Sequence, residues 1–271
     1  LKVDALEEIK AGVEEAYREY KDFGLEIECY ETNNYDVEEQ LSAINLVKHK
    51  NISGMVICPI DNERIRNAVN EVVEMGIPVV TTNSDLADCK RLCTIGQDSL
   101  RAGRVAGQLM GEILKGNGKV AAITYSYGLL SNNERLKGFE AVINERYPGI
   151  EIVEKIETYE KRVVTFQKTL SLLETVKDLN GIYITCGCVS EVGKAVRLMD
   201  KSRDIKIISF DLYPEIVELV KEGVINFTIG QDLFAQGYKP VRVLFEYLFY
   251  GKAPEKDCIY TSIDIKFIEN L

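Results

Sequence analysis

The sequence predicts an α/β protein made of two similar Rossmann-like lobes, each built on a parallel sheet. Three observations lead to that class. Short apolar runs rich in Ile and Val alternate with segments of helical periodicity, the pattern of strand-helix-strand units with right-handed crossovers. The series runs once over about the first hundred residues and begins again at residue 119, without any repeat of the sequence itself. A chain of 271 residues is also long for one core and comfortable for two.

In order, residues 3–20 read as a helix with Leu6, Ile9, Val13 and Tyr17 on one face. Residues 25–30 alternate as a strand, with Leu25, Ile27 and Cys29 opposite Glu26 and Glu28. A helix over 37–49, a buried strand over 54–58, a helix over 63–75 stopped by Gly76 and a strand over 77–82 follow. The first helix has no strand before it, although a doubly wound lobe normally opens with one. The expectation is that the native chain extends upstream by at least that strand.

A short strand at 92–95 leads through Gly96, Gln97 and Asp98 into a helix over 99–114, with Asp98 read as its cap. Gly103, Gly107 and Gly111 give this helix a bare stripe, expected to pack closely on a sheet. The run KGNGK at 115–119 lacks the spacing and the Ser/Thr of a phosphate loop and reads as a turn. The second series has strands at 119–124, 150–157 and 181–185, with helices over 134–147, 163–176 and 192–199. Tyr125 and Tyr127 lie on the loop after the first of these strands, with Asn132 and Asn133 entering the next helix as caps or ligand contacts.

The stretch 206–237 carries the most information. Ile205, Ile207, Ile208 and Phe210 form a run suited to a strand covered on both faces, which leaves Asp211 at its carboxyl end. Ligands of open α/β sheets bind at that edge. Pro214 and Gly223 bracket a helix, and a strand over 224–229 delivers Gln231 and Asp232 to the same edge. From these residues alone, Asp211 is either a helix cap or a ligand-facing acid.

Composition excludes several classes. A net charge of −10 does not suit a chain that grips phosphate backbones. His49 is the only histidine, so a zinc-hydrolase motif and a Ser/His/Asp triad lack their minimum parts. No cofactor, metal or catalytic residue is assigned and no enzyme is expected. Seven cysteines without a framework spacing suit a reducing cytoplasm, and no apolar run is long enough to span a membrane. Cys186 and Cys188, one residue apart, cannot close a zinc site alone and read as small residues of a tight loop.

Five segments together resemble the ligand-binding core of the lactose and galactose repressor family, which shares its type I periplasmic-binding-protein fold with ribose and galactose binders. They are GIPVVTTNSD at 76–85, IGQDSLRAGRVAG at 95–107, NERLKGF at 133–139, IISFDLYPE at 207–215 and INFTIGQDLFAQGY at 225–238. The resemblance implies two lobes, 1–97 with 232–260 and 98–231 with 261–271, joined by three crossovers around a cleft. It implies that Arg135 forks onto ligand hydroxyls, that Asp211 accepts from two of them, that Gln231 lies beside the ligand and that Asn83 faces the cleft from the first lobe. A guanidinium, a carboxylate and amides satisfy the donors and acceptors of a polyol on their own chemistry. Tyr125, Tyr127 or Phe210 could stack on an apolar sugar face.

The departures bear on the ligand. Cys186, Gly187 and Cys188 stand where many sugar binders have an Asn-Asp pair, with Gly187 lining the site; Cys58 stands for an asparagine, and Ser84 for an arginine. A plain pentose or hexose is therefore in question. The resemblance and the cysteines imply the effector-binding core of a cytoplasmic transcription regulator. Its partners would be a small polar, sugar-like effector, operator DNA through an upstream helix-turn-helix headpiece, and a second copy of itself, meeting near 63–75 and 236–250 through Val241, Leu244, Phe245 and Leu248. The alternative is an exported solute-binding receptor of an ABC transporter.

Overall fold

A computed structural model describes residues 4–32, 36–125 and 130–271. The chain divides into two compact units, Leu1–Gln97 with Asp232–Thr261 and Asp98–Gln231 with Ser262–Leu271. It passes between them after Gln97, Gln231 and Thr261. The last passage falls one residue beyond Tyr260, because Thr261 stays tied to the first unit: its amide donates to the Gly96 carbonyl at 2.9 Å.

The first unit holds a parallel sheet in the order β1 (Met55–Ile57), β2 (Val79–Thr82), β3 (Cys93–Gly96) and β9 (Cys258–Tyr260). Helices α2 (Val37–Lys48) and α3 (Glu63–Glu74) bury Ile44, Ile65, Val69 and Val72 against Met55 and Val79. Both start on side-chain caps, Asp36 and Asn62, which take up backbone amides that the first turn leaves unpaired. Helix α1 (Asp4–Tyr20) packs with α9 (Leu233–Tyr250) through Ala16, Tyr20, Val241 and Phe245.

Residues 25–30 do not form the expected strand. Their alternation still sorts the side chains, since Leu25 and Ile27 pack into the α1/α9 cluster. A strand also needs a neighbour to take its backbone groups, and the described sheet ends at β1. Three of the four residues expected at a dimer face meet their own unit instead. Val241 and Phe245 are buried against α1, Leu244 is buried against Val80, Cys93 and Ile95, and Leu248 is exposed.

The second unit carries a six-stranded sheet in the order β10, β8, β7, β6, β4, β5. Its strands are β4 (Asn117–Thr124), β5 (Gly149–Glu157), β6 (Leu179–Ile184), β7 (Lys206–Phe210), β8 (Phe227–Gly230) and β10 (Asp264–Lys266). All pairings are parallel except that of β10 with β8. The chain runs outward from β4 to β5 and then back to β6 on the other side of β4. Such a reversal opens a crevice at the carboxyl ends of the strands. Helices α6 (Arg162–Thr175), α7 (Val189–Leu198) and α8 (Pro214–Lys221) cover one face through Leu172, Leu173, Val192, Val196, Leu219 and Val220. Helices α4 (Ser99–Ile113) and α5 (Leu130–Arg146) contribute Ala102, Ala106, Met110, Phe139 and Ile143 to the other core cluster.

The glycine stripe of α4 faces a helix rather than the sheet. A Cβ on Gly103 would run into the backbone of Arg135, and one on Gly107 would lie 2.9 Å from the Phe139 carbonyl. Bare backbone here lets α5 approach closely, which fixes the height of Arg135 above the sheet. Gly103→Ala should therefore lower stability by roughly 1–3 kcal/mol, the usual cost of overpacking, as measured by urea denaturation. A midpoint equal to that of the parent would show that α4 and α5 can separate freely.

Candidate functional site

Three strand ends and one helix of the second unit supply one cluster. Phe210 ends β7 and lies fully buried in the core, and the guanidinium of Arg135 on α5 sits over its ring at 3.9 Å. Phe210 therefore offers no open face to a sugar and instead supplies a π surface for the cation. Arg135 is itself 5% exposed. Its Nη1 donates to the Thr185 carbonyl at 3.0 Å, just past β6, and its Nη2 donates to the Gln231 side-chain oxygen, just past β8. The Gln231 amide in turn donates to Asp211 Oδ1. A cation, an amide relay and a carboxylate thus run in series along the carboxyl edge.

The local backbone shows that Asp211 does not cap α8. The cap of α8 is Tyr213, without a side-chain cap bond, so the carboxyl of Asp211 does not cap that helix. Asp211 adopts a left-handed conformation with φ of 72°. Its amide donates to the Ile229 carbonyl at 3.0 Å, and Thr228 Oγ1 donates to its carbonyl at 2.6 Å. These bonds turn the side chain toward Gln231. Burial pushes the Asp211 carboxyl above the usual aspartate range, while Arg135, then Gln231 and Tyr213, pull it back. Burial also disfavours the Arg135 cation, with Asp211 opposing.

Three loops close around this edge. Thr158 and Tyr159 donate their amides to the carbonyls of Thr124 and Tyr125, each at 2.9 Å, and the rings of Tyr125 and Tyr159 meet edge to face. The Gly187 amide donates to Glu160 Oε1 at 3.0 Å, and Cys188 Sγ donates to the Glu160 carbonyl at 3.1 Å. The cysteines stay protonated at neutral pH, because burial pushes Cys188 up to about 11 and raises Cys186 well above the ordinary thiol value. Among the described residues no group of three or more His, Cys, Asp or Glu side chains is arranged to hold a metal.

Asn83 belongs to the first unit, at the end of β2, with φ of 61°. Its amide donates to the Gln236 side-chain oxygen at 3.0 Å, and Thr82 Oγ1 donates to the Gln236 carbonyl at 2.6 Å. Asp85, two residues on, forms a bidentate pair with Arg91 at 2.6 Å on each arm. Arg135, Asp211 and Gln231 are thus in direct sequence, with Phe210 beneath and Tyr125 and Gly187 on adjoining loops. Tyr127 lies outside the described residues. Asn132 is buried within α5, and Asp98 caps α4 through the Arg101 amide.

Two polar residues were not singled out from the sequence. Gln236 lies within a quoted motif and could have been found there. Glu160 had no signal, since TYEKR reads as an ordinary polar loop before a helix.

A parallel α/β unit with a guanidinium, a carboxylate and an amide meeting at its carboxyl edge defines a small-molecule binding protein. The periplasmic binding protein domain model matches residues 4–253, and the chain belongs to that family. The family is one of binding proteins rather than enzymes. The chain is 22% identical over 224 residues to the ribose import binding protein RbsB of Bacillus subtilis (strain 168), covering 83% of this chain and 71% of that protein. A solved structure of GanP, a glucose-galactose binding protein from Geobacillus stearothermophilus, superposes with a TM-score of 0.92 at 26% identity, covering 100% of this chain and 95% of that one. A sugar ABC transporter sugar-binding protein from Bacillus halodurans superposes with a TM-score of 0.90 at 29% identity, covering 99% and 94%.

Gln231→Leu removes the relay and leaves a guanidinium N–H and a carboxylate oxygen buried without it. The expected cost is roughly 1–3 kcal/mol of stability, read from equilibrium unfolding of the ligand-free protein. An unchanged unfolding curve would show that Arg135 and Asp211 pair without Gln231.

Proposed function

We propose that this chain is the solute-binding receptor of an ABC-type importer and that it takes a sugar or related polyol at the Arg135, Gln231 and Asp211 cluster. The observation that carries this reading is the buried relay itself. It holds a fork of donors and a carboxylate acceptor at fixed positions on one strand edge, so little ordering is left to occur on binding. Arg135 would donate to ligand oxygens, Asp211 would accept from hydroxyls and Gln231 would hold both in register.

The relatives described above are an import protein and sugar-binding proteins, which favours the receptor over the DNA-binding regulator. The operator-DNA and homodimer expectations receive no support from them. A receptor of this kind meets its ligand outside the cytoplasmic membrane, whereas the regulator reading keeps the chain in the cytoplasm. Fractionation of the native host separates the two.

Calorimetric titration with a panel of aldopentoses and aldohexoses tests the reading. At least one should bind, and Asp211→Ala should weaken it by roughly 1.5–3 kcal/mol, the range for hydrogen bonds to a charged group. Equal affinity for parent and variant would remove Asp211 from the site.

The pH dependence has a defined sign. A ligand hydroxyl that donates to Asp211 requires the carboxylate, so binding lowers the pKa of that group and releases protons. Affinity should be full above the raised pKa of free Asp211 and fall as pH drops through it, at a higher pH than for an ordinary aspartate. Titration in buffers of different ionisation enthalpy reads the proton release, and proton uptake would contradict this assignment.

A further inference from the structure

The loop after β6 carries Cys186, Gly187 and Cys188, directly after the Thr185 carbonyl that accepts from Arg135. Neither thiol offers a ligand a strong donor or acceptor. Cys186 is buried, and Cys188 Sγ is directed to the Glu160 carbonyl at 3.1 Å. Gly187 brings only backbone.

The neighbouring loop fills this place with a different side chain. Glu160 Oε1 accepts the Gly187 amide at 3.0 Å. A Cβ on Gly187 would lie 3.0 Å from that same oxygen and 3.1 Å from Cδ, so the carboxyl occupies the space that a larger residue at 187 would use. The bare backbone at 187 and the placement of the Glu160 carboxyl are therefore the same structural fact. Tyr159 and Glu160 both adopt left-handed backbone, with φ of 52° and 48°, which returns the side chain toward β6.

Glu160 also shares the electrostatics of the site. Burial raises its pKa, Asp211 raises it further, and the Gly187 amide opposes both. The charge of Glu160 acts in turn on Tyr125 and Cys186. Arg162, at the start of the following helix, lies 3.7 Å from Glu191 instead. Two carboxyl groups, Asp211 and Glu160, thus stand with one guanidinium, Arg135. A carboxylate accepts about four hydrogen bonds and donates none. Two carboxylates beside one cation disfavour a neutral hydroxyl that must accept as well as donate, and they suit a group that only donates and carries positive charge.

We propose that Glu160 is a specificity-determining ligand-binding residue, presenting a second carboxylate beside the 186–188 loop and selecting an amine-bearing sugar or polyol over its neutral parent. This rests on the sugar-receptor reading and narrows its ligand class. A purely bracing role for Glu160 would affect stability, and it would change the affinities of both members of a ligand pair alike.

The test is calorimetric titration of the full chain at neutral pH with matched pairs. Glucose and galactose are compared with their 2-amino, 3-amino and 6-amino deoxy counterparts, and ribitol with 1-amino-1-deoxyribitol. At least one amine should bind about tenfold or more tightly than its neutral parent, a difference of about 1.4 kcal/mol. In Glu160→Gln, which keeps the shape and the Gly187 bond, that ratio should collapse to near one or reverse. Gly187→Asn, which displaces the Glu160 carboxyl and introduces an amide, should move preference the same way and serves if Glu160→Gln melts early. Neutral parents binding as tightly as every amine, or a ratio that survives both variants, overturns the role of Glu160 and leaves the sugar reading standing. Failure of every compound to bind overturns both.

Discussion

The constraint on which the second unit depends is the burial of one guanidinium. Removing a charged group from water costs several kcal/mol even after relaxation, and only a complete set of partners offsets it. Arg135 draws those partners from three different strand ends: the Thr185 carbonyl after β6, the Phe210 ring at the end of β7 and the Gln231 amide after β8. The sheet order that places β6, β7 and β8 side by side is therefore a condition for this arginine to be buried. The bare stripe of α4 is another, because α5 carries Arg135 to the right height only by close approach at Gly103 and Gly107.

This arrangement also sets the protonation of its carboxylate. Asp211 is held with its carboxyl disfavoured in the charged form, opposed by Arg135 and by hydrogen bonds from Gln231 and Tyr213. In the proposed receptor, a ligand hydroxyl that donates to Asp211 would relieve part of that penalty. The backbone contributes as well. Asn83, Asp211, Asp232 and Glu160 all have positive φ, and each lies within a few residues of the end of a strand. Asn and Asp tolerate that conformation better than other residues with a Cβ, and Glu does not share the advantage. Strained backbone at such positions persists only where the surroundings hold it, which at Glu160 means the Gly187 amide and the Cys188 thiol.

The first unit uses the same chemistry with neutral groups. Asn83 and Gln236 bond side chain to side chain, and the Gln236 carbonyl takes the Thr82 hydroxyl. Gln236 is fully buried on the first turns of α9, so its position follows from the capping of that helix by Asp232. Gln236, within the motif at 225–238, is thus a polar anchor for the loop after β2.

The sequence by itself determined the alternation of strands and helices, because apolar runs and helical stripes are local patterns and most ends carry their own caps and glycines. It also marked Asp211 and Gln231, since residues at strand ends can be counted from the runs that precede them. It could not decide whether Asp211 caps a helix; the structure excludes that, because its carboxyl accepts from Gln231, twenty residues away, and α8 is capped at Tyr213. The 25–30 segment has the alternation of a strand and no strand, because a ladder requires a partner that local pattern cannot supply. Phe210 had the position of a stacking residue and proved to be the floor under Arg135. Glu160 was invisible for the same reason: its meaning comes from Gly187, brought beside it only when β4, β5 and β6 take their places in the sheet.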